Sequence, residues 1–308
     1  MNNFTHNLYL MTEHNDKYQQ LLEQAALPDL AITSDPSQAT ILLASPPKAA
    51  KRINEFSHIE WIQSIYAGVD ALVPKLNQFE GQLTNVKGIF GQQISEYVLG
   101  YCIEHYRHFN HYRHQQSQCQ WAPKPYQSLT GKKMVILGTG SIGAYLAQAV
   151  KTLAIEPIGV NRSGIPTKHS PFAATYHIQE LATALAQADI VVNTLPNTPE
   201  THHILNSESL AHCNNVLLFN VGRGNAIHQA GLLEALNNGA VEHAFVDVFE
   251  QEPLDEQHPY WQQENLTVTP HIAAVSFPEQ VIEIFTDNYQ RWRDGFSLVN
   301  TIDINKGY

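Results

Sequence analysis

The sequence predicts an α/β protein of two parallel-sheet units, the second inserted into the first. Three observations carry this. Short apolar runs alternate with amphipathic stretches along most of the chain, the pattern of parallel βαβ units. The alternation stops at Trp121-Ala122-Pro123-Lys124-Pro125, as a linker would, and then restarts. The chain has 308 residues, about two domains at roughly 150 residues each.

In the first series, Asn7–Met11 reads as a strand and Asp16–Ala26 as a helix, with Pro28 just beyond it. Thr40–Ala44 is a buried-type strand stopped by Pro46-Pro47, and Ile59–Tyr66 is a strand ended by a turn at Gly68. A long helix is expected from Gln92 to Gln116. After the linker, strands are expected at Lys133–Leu137, Glu156–Val160, Asp189–Asn193, Val216–Val221, His243–Val248 and Leu266–Thr269, mostly separated by helices. A helix over Pro278–Trp292 and a short strand over Leu298–Ile304 close the chain. One helix and one strand cannot make a domain, so they must pack back on one of the two units. This suggests domains of 1–97 with 275–308, and 98–274.

The hydrophobic fraction of 43% and charged fraction of 15% belong to a folded globular chain. A net charge of −11 leaves no electrostatic footprint for nucleic acid or an anionic membrane. No apolar stretch approaches the 18 or so residues of a membrane span. Cys102, Cys119 and Cys213 are odd in number and lack CxxC spacing, which reads as reduced thiols in a cytoplasmic protein. The first seven residues show no signal-peptide pattern.

Lys133–Leu137 runs into Gly138-Thr139-Gly140-Ser141-Ile142-Gly143 and then a helical stretch. Between strand and helix, this glycine spacing is the phosphate-binding turn of a Rossmann dinucleotide site. Gly138 makes the tight turn, Gly140 lets a pyrophosphate approach the backbone, and Gly143 lets helix and strand pack closely. A dinucleotide lacking the 2′-phosphate calls for a carboxylate at the end of the second strand. Here Asn161 stands there, followed by Arg162 and Ser163. An amide, a guanidinium and a hydroxyl suit a 2′-phosphate, so NADP(H) is favoured over NAD(H).

Three further segments follow late strands: Val221-Gly222-Arg223-Gly224, Asp247–Leu254 with Glu252 before Pro253, and Thr269–Ala274 with His271. In open α/β sheets the crevice beyond the strand C-termini is the binding site. Arg, Glu and His together suit reduction of a 2-oxo acid. The guanidinium holds the substrate carboxylate, the imidazolium protonates the carbonyl oxygen, and the carboxylate raises and orients the imidazole.

Taken with Leu195-Pro196-Asn197-Thr198-Pro199-Glu200-Thr201 and Asn220-Val221, these motifs resemble, in order and spacing, the D-isomer-specific 2-hydroxyacid dehydrogenase family. The resemblance covers Ile59–Ala274 well. It implies a flavodoxin-like substrate domain carrying an inserted Rossmann domain, and a homodimer with the helices of Gln92–Gln116 in its interface. It implies Arg223 as substrate-binding, Glu252 as the partner of the histidine, His271 as acid/base, and Asp247 on the nicotinamide carboxamide. Leu195, Pro196, Val221, Gly222 and Ala273 would line the cofactor, and the backbone of Ala67 and Gly68 would meet the substrate carboxylate. Asn161 places the chain nearer the NADP-preferring glyoxylate/hydroxypyruvate reductases. Rival readings are an NAD-dependent dehydrogenase of a larger D-2-hydroxy acid, and a dinucleotide-sensing module resembling the family's corepressors.

No metal site is expected. His105, His108, His111 and His114 step around a helix by about −60° each and sweep half its circumference rather than converging. His202 and His203 would face opposite ways in a regular segment.

Overall fold

A computed structural model describes residues 5–304. The chain divides into two compact units.

The first unit comprises the described residues up to Ile89 and those from Ser276 onward. Its strands are β1 (His6–Met11), β2 (Leu30–Ile32), β3 (Ile41–Ala44), β4 (Trp61–Ser64) and β5 (Gln82–Thr84), with helices α1 (Asn15–Ala25) and α2 (Pro46–Arg52). All pairs are parallel, in the order β2-β1-β3-β4-β5, which is the flavodoxin-like order. Pro46-Pro47 does not simply stop β3; Pro46 starts α2, because a missing N–H and a fixed φ cost nothing in a first helical turn. The short β2 and β5 escape the sequence pattern because three-residue strands carry too little periodicity.

The last long helix, Pro278–Arg293, packs against α1, where Lys17 and Glu279 pair at 2.8 Å. Its Phe285 is buried and stacks on Trp61 at 5.1 Å and 6°. The expected Leu298–Ile304 strand reduces to one antiparallel bridge, Thr84 to Thr301. Asn288 captures the Val299 backbone through both side-chain ends, and Asn300 at φ +58° breaks the extended run.

The second unit spans Phe90–Val275. Helices α3 (Phe90–Tyr106) and α4 (Phe109–Ser117) come first. Then follow β6 (Lys133–Leu137), α5 (Ser141–Lys151), β7 (Glu156–Asn161), β8 (Ala174–His177), α6 (Leu181–Leu185), β9 (Ile190–Asn193), α7 (Ser207–Leu210), β10 (Val216–Asn220), α8 (Gln229–Asn238), β11 (Val241–Val246) and β12 (Leu266–Val268). The parallel order β12-β11-β10-β9-β6-β7-β8 is that of the dinucleotide-binding fold, extended by one strand, with its switch point between β6 and β9. The central strands β6, β9 and β10 are apolar except for a terminal polar residue each, as helices on both faces require.

The division at 89/90 and 275/276 replaces the expected 97/98 and 274/275. All of α3 belongs to the second unit because Ile94, Val98, Cys102 and Tyr106 share a core with Met134, Leu146 and Val150. Val275 is held there by two hydrogen bonds with the Gln93 side chain. The proline-rich 121–125 segment lies inside this unit and is no boundary; Tyr112 and His108 hold Lys124 and Pro125. The single helix expected over Gln92–Gln116 is two, broken where His108 takes φ +57°. No helix among the described residues is long and apolar enough to cross a membrane.

Candidate active site

At the end of β6, Gly138 adopts φ +101°, a conformation that only glycine takes without strain. A Cβ on Gly143 would lie 2.0 Å from the Gly138 carbonyl oxygen, so α5 can begin against the turn only with glycine there. Gly140 is the N-cap of α5 and supplies no side-chain cap, and the space where its Cβ would lie is open. The N–H groups of Ser141, Ile142 and Gly143 thus open the helix without a capping side chain, beneath the positive end of its dipole. That cradle fits a pyrophosphate.

At the end of β7, Asn161 organises the following turn. Its Oδ1 accepts from the N–H groups of Ser163 and Gly164 at 3.0 and 2.7 Å and from the Ser163 hydroxyl at 3.2 Å. Its Nδ2 donates to Thr139 Oγ1 at 3.0 Å and to the Ile165 carbonyl at 3.1 Å. A carboxylate could accept the same bonds but could not donate to Thr139. Arg162 and Ser163 are exposed on this turn. Hydrogen bonds from its own N–H and from Thr198 hold the Glu200 carboxyl below its usual range, with a smaller contribution from the Arg162 charge.

Between these strands and the late loops lies a pair that sequence reasoning missed. Asn193 and Asn220 are fully buried at the C-termini of β9 and β10. Asn193 Nδ2 donates to Asn220 Oδ1 at 2.8 Å, and Asn193 Oδ1 accepts from the Leu195 N–H at 3.2 Å. Asn220 Nδ2 donates to the Arg223 carbonyl at 3.1 Å. The signal was an asparagine at the end of each of two otherwise apolar strands.

The pair sets the start of the loop carrying Leu195 and Pro196 and the course of Val221-Gly222-Arg223. A Cβ on Gly222 would meet the Leu195 carbonyl oxygen at 2.7 Å, and one on Gly224 would meet the Phe249 carbonyl carbon at 1.9 Å. Both glycines beside Arg223 are therefore demanded by close backbone approach. Arg223 is half-buried, and its Nη1 donates to the Gly222 carbonyl at 2.7 Å.

Asp247, buried just past β11, ties down the third segment. Its Oδ1 accepts from Thr269 Oγ1 at 2.6 Å and from the Ile272 N–H at 2.8 Å; its Oδ2 accepts from the Ala273 N–H at 2.9 Å. Its carbonyl takes the His271 N–H at 2.9 Å. Both Asp247 and Ala273, expected against the cofactor, thus share the work of shaping the turn that carries His271. His271 itself sits at φ +54°, a strained conformation for a side chain larger than glycine.

There His271 Nδ1 meets Glu252 Oε2 at 2.8 Å, while Glu252 Oε1 accepts the Phe249 N–H at 2.9 Å. The hydrogen bond to Glu252 raises the His271 pKa against the opposing effect of burial, and the carboxylate charges of Glu252 and Asp247 add to it. Burial pushes the Glu252 carboxyl upward, but the bonds from His271 and Phe249, with the charges of His271 and Arg223, hold it low. With Nδ1 committed, Nε2 is the ring atom left to serve a ligand. The expected trio thus lies in one unit, with the Arg223 charge felt by both partners of the pair. Ala67 and Gly68 lie in the other unit, in the turn after β4, where the Ala67 carbonyl accepts from Asn85 Nδ2.

The histidine pattern resolves in two ways. His105 pairs with Glu242 at 3.2 Å, His108 with the Pro125 carbonyl, and His111 with Gln115, so these side chains go to separate partners. His202 and His203 do not face opposite ways. His203 takes φ +51°, which ends the regular geometry and brings the two rings to 3.8 Å.

The family model for the D-isomer specific 2-hydroxyacid dehydrogenase NAD-binding domain matches residues 99–273. A family member from Aeromonas salmonicida is 42% identical, with a TM-score of 0.92 over 97% of this chain and 99% of that one. A D-isomer specific 2-hydroxyacid dehydrogenase from Xanthobacter autotrophicus, in complex with NADPH and MES, is 27% identical, with a TM-score of 0.87 over 99% of this chain and 100% of that one. An NADPH-dependent glyoxylate/hydroxypyruvate reductase from Sinorhizobium meliloti shares the fold at 23% identity, with a TM-score of 0.88 over 99% of this chain and 100% of that one. With the dinucleotide turn, the late-strand loops and more than half the chain matched, the protein belongs to the D-isomer specific 2-hydroxyacid dehydrogenase family of NAD(P)-dependent oxidoreductases acting on small hydroxy or oxo acids.

Proposed function

We propose that the chain reduces a small 2-oxo acid, of the glyoxylate or hydroxypyruvate type, to the D-2-hydroxy acid, with NADPH preferred over NADH. The observation that carries this is the 2.8 Å Glu252–His271 pair with the Arg223 charge beside it. A protonated His271 donates a proton from Nε2 to the carbonyl oxygen as negative charge builds there, an effect worth about 10²–10⁴ in rate. Glu252 keeps the proton on the imidazole and fixes its plane. Arg223 holds the substrate carboxylate.

Gly138–Gly143 hold the pyrophosphate, and Leu195, Pro196, Val221, Gly222 and Asp247 line the rest of the dinucleotide. When bound, the dinucleotide supplies the hydride. The preference for a 2′-phosphate rests on the Asn161–Ser163 turn, where an amide, a guanidinium and a hydroxyl stand at and just after the end of β7 in place of the carboxylate expected for NAD(H), and gains support from the NADPH-bound relative at 27% identity. The reading includes a cytoplasmic homodimer joined through α3 and α4. Phe109 and Tyr112 on α4, with Trp121 and Tyr126 beyond it, leave apolar surface exposed there.

Absorbance at the nicotinamide band tests the reaction, with glyoxylate or hydroxypyruvate and each cofactor in parallel. Fast loss of NADPH with much slower loss of NADH is expected. No loss with either acid and either cofactor, despite cofactor binding, would overturn the substrate assignment.

A further inference from the structure

We propose that His202, His203 and Glu250 form a binding site for a transition-metal dication of the zinc class. One ligand atom from each residue lies within 4.8 Å of the others, and His203 Nε2 already sits 2.7 Å from Glu250 Oε1. Around a zinc ion at about 2.0–2.2 Å, ligand atoms stand about 3.3–3.5 Å apart. Closing the set therefore needs side-chain movements of about 1.5 Å or less. His202 and Glu250 are exposed and can make them.

The local backbone is built for this approach. Neighbouring histidines in an extended or helical run diverge, whereas φ +51° at His203 turns its ring onto that of His202, 3.8 Å away and tilted by 30°. The His203 N–H is anchored on the Asn225 carbonyl at 2.8 Å, and His228 packs edge-on against its ring at 5.0 Å. Two imidazoles and one carboxylate select a borderline ion over Mg²⁺ or Ca²⁺, which prefer oxygen ligands. Three protein ligands leave a fourth position for water.

The ion would join three loops: that of His202 and His203, that of Arg223–Asn225 through the Asn225 carbonyl, and that of Phe249–Glu252 through Glu250. It would thus tie together the two loops bearing Arg223 and Glu252. The metal takes the place of the direct contact between His203 Nε2 and Glu250 Oε1.

The test is a titration of the full-length, metal-stripped protein with Co²⁺, read by its visible d–d absorption, followed by Zn²⁺ displacement against a chromogenic chelator. We expect one equivalent held more tightly than the rest, with no near-ultraviolet thiolate band, since Cys119 is the exposed rival ligand. His202→Ala and Glu250→Gln should each weaken that equivalent by about 10- to 100-fold or more. Both positions are exposed, and far-UV circular dichroism without metal checks their folding. Either folded variant suffices for the test. Wild-type affinity in a folded variant, loss of the equivalent in Cys119→Ser, or displacement by an equal concentration of Mg²⁺ would each overturn the site. None of these readouts depends on turnover.

Discussion

Replacing Asp247 by asparagine isolates what holds His271 in place. The two side chains have the same shape, but an amide presents one acceptor and one donor. In the Asp247→Asn variant the amide oxygen can stay on Thr269 Oγ1 and the Ile272 N–H, at 2.6 and 2.8 Å in the native protein. The amide NH₂ then faces the Ala273 N–H, which is 2.9 Å from Oδ2 in the native protein. A hydrogen bond to a charged acceptor is worth about 1.5–3 kcal/mol, and an orphaned buried N–H adds a desolvation penalty that partly overlaps it. The two surviving bonds lose their charge assistance, about 1 kcal/mol each. The sum is about 3–5 kcal/mol, a large share of a typical stability. For a unit of this size it lowers Tm by roughly 6–20 °C. Because the strained His271 turn depends on these bonds, kcat should fall further than the affinity for NADPH. Thermal unfolding and steady-state kinetics, with NADPH binding followed by fluorescence, check both parts. A Tm within about 2 °C of wild type, together with unchanged kcat, would refute the view that Asp247 holds the catalytic turn.

Other consequences can be measured alongside. Glu252→Gln removes what raises the His271 pKa, so the alkaline limb of kcat/KM for reduction should move to lower pH; an unmoved limb would separate Glu252 from the acid. The same pair ties stability to pH. The raised His271 contributes fully below about pH 6.5 and loses its contribution as pH rises through its folded value, while the lowered Glu252 contributes above about pH 4.3 and loses it on acidification. Urea midpoints should therefore show a Glu252-dependent gain between those limits, absent from the glutamine variant. Gly143→Ala puts a methyl 2.0 Å from the Gly138 oxygen and should abolish saturable NADPH binding while the other unit stays folded. Arg162→Ala should reduce the ratio of kcat/KM for NADPH over NADH about tenfold or more, as loss of a charge-assisted phosphate contact implies. Phe285→Ala opens the Trp61 stack and should cost about 3–5 kcal/mol in chemical denaturation, with no direct effect on dinucleotide affinity.

The sequence was most informative where a local constraint has one chemical solution. Gly138 and Gly143 between a strand and a helix can be read without a structure, because the tight turn and the close packing each require a missing Cβ. The buried strands β6, β7, β9 and β10 were legible because helices on both faces keep their interiors apolar. Arg223, Glu252 and His271 were singled out by their chemistry and their places after strands, and the fold brings Glu252 to 2.8 Å from His271. Tertiary structure decided what depends on residues far apart in the chain. Whether Glu252 reaches His271 depends on Asp247 holding the turn across 22–26 positions. Asn193 and Asn220 read as ordinary strand ends until β9 and β10 pair and bring their amides to 2.8 Å. The helix break at His108, the His202–His203 stack and the single bridge at Thr301 all follow from left-handed residues that are not glycine. An isolated chain has no reason to adopt them, since each costs energy locally, and only the contacts of the folded protein repay that strain.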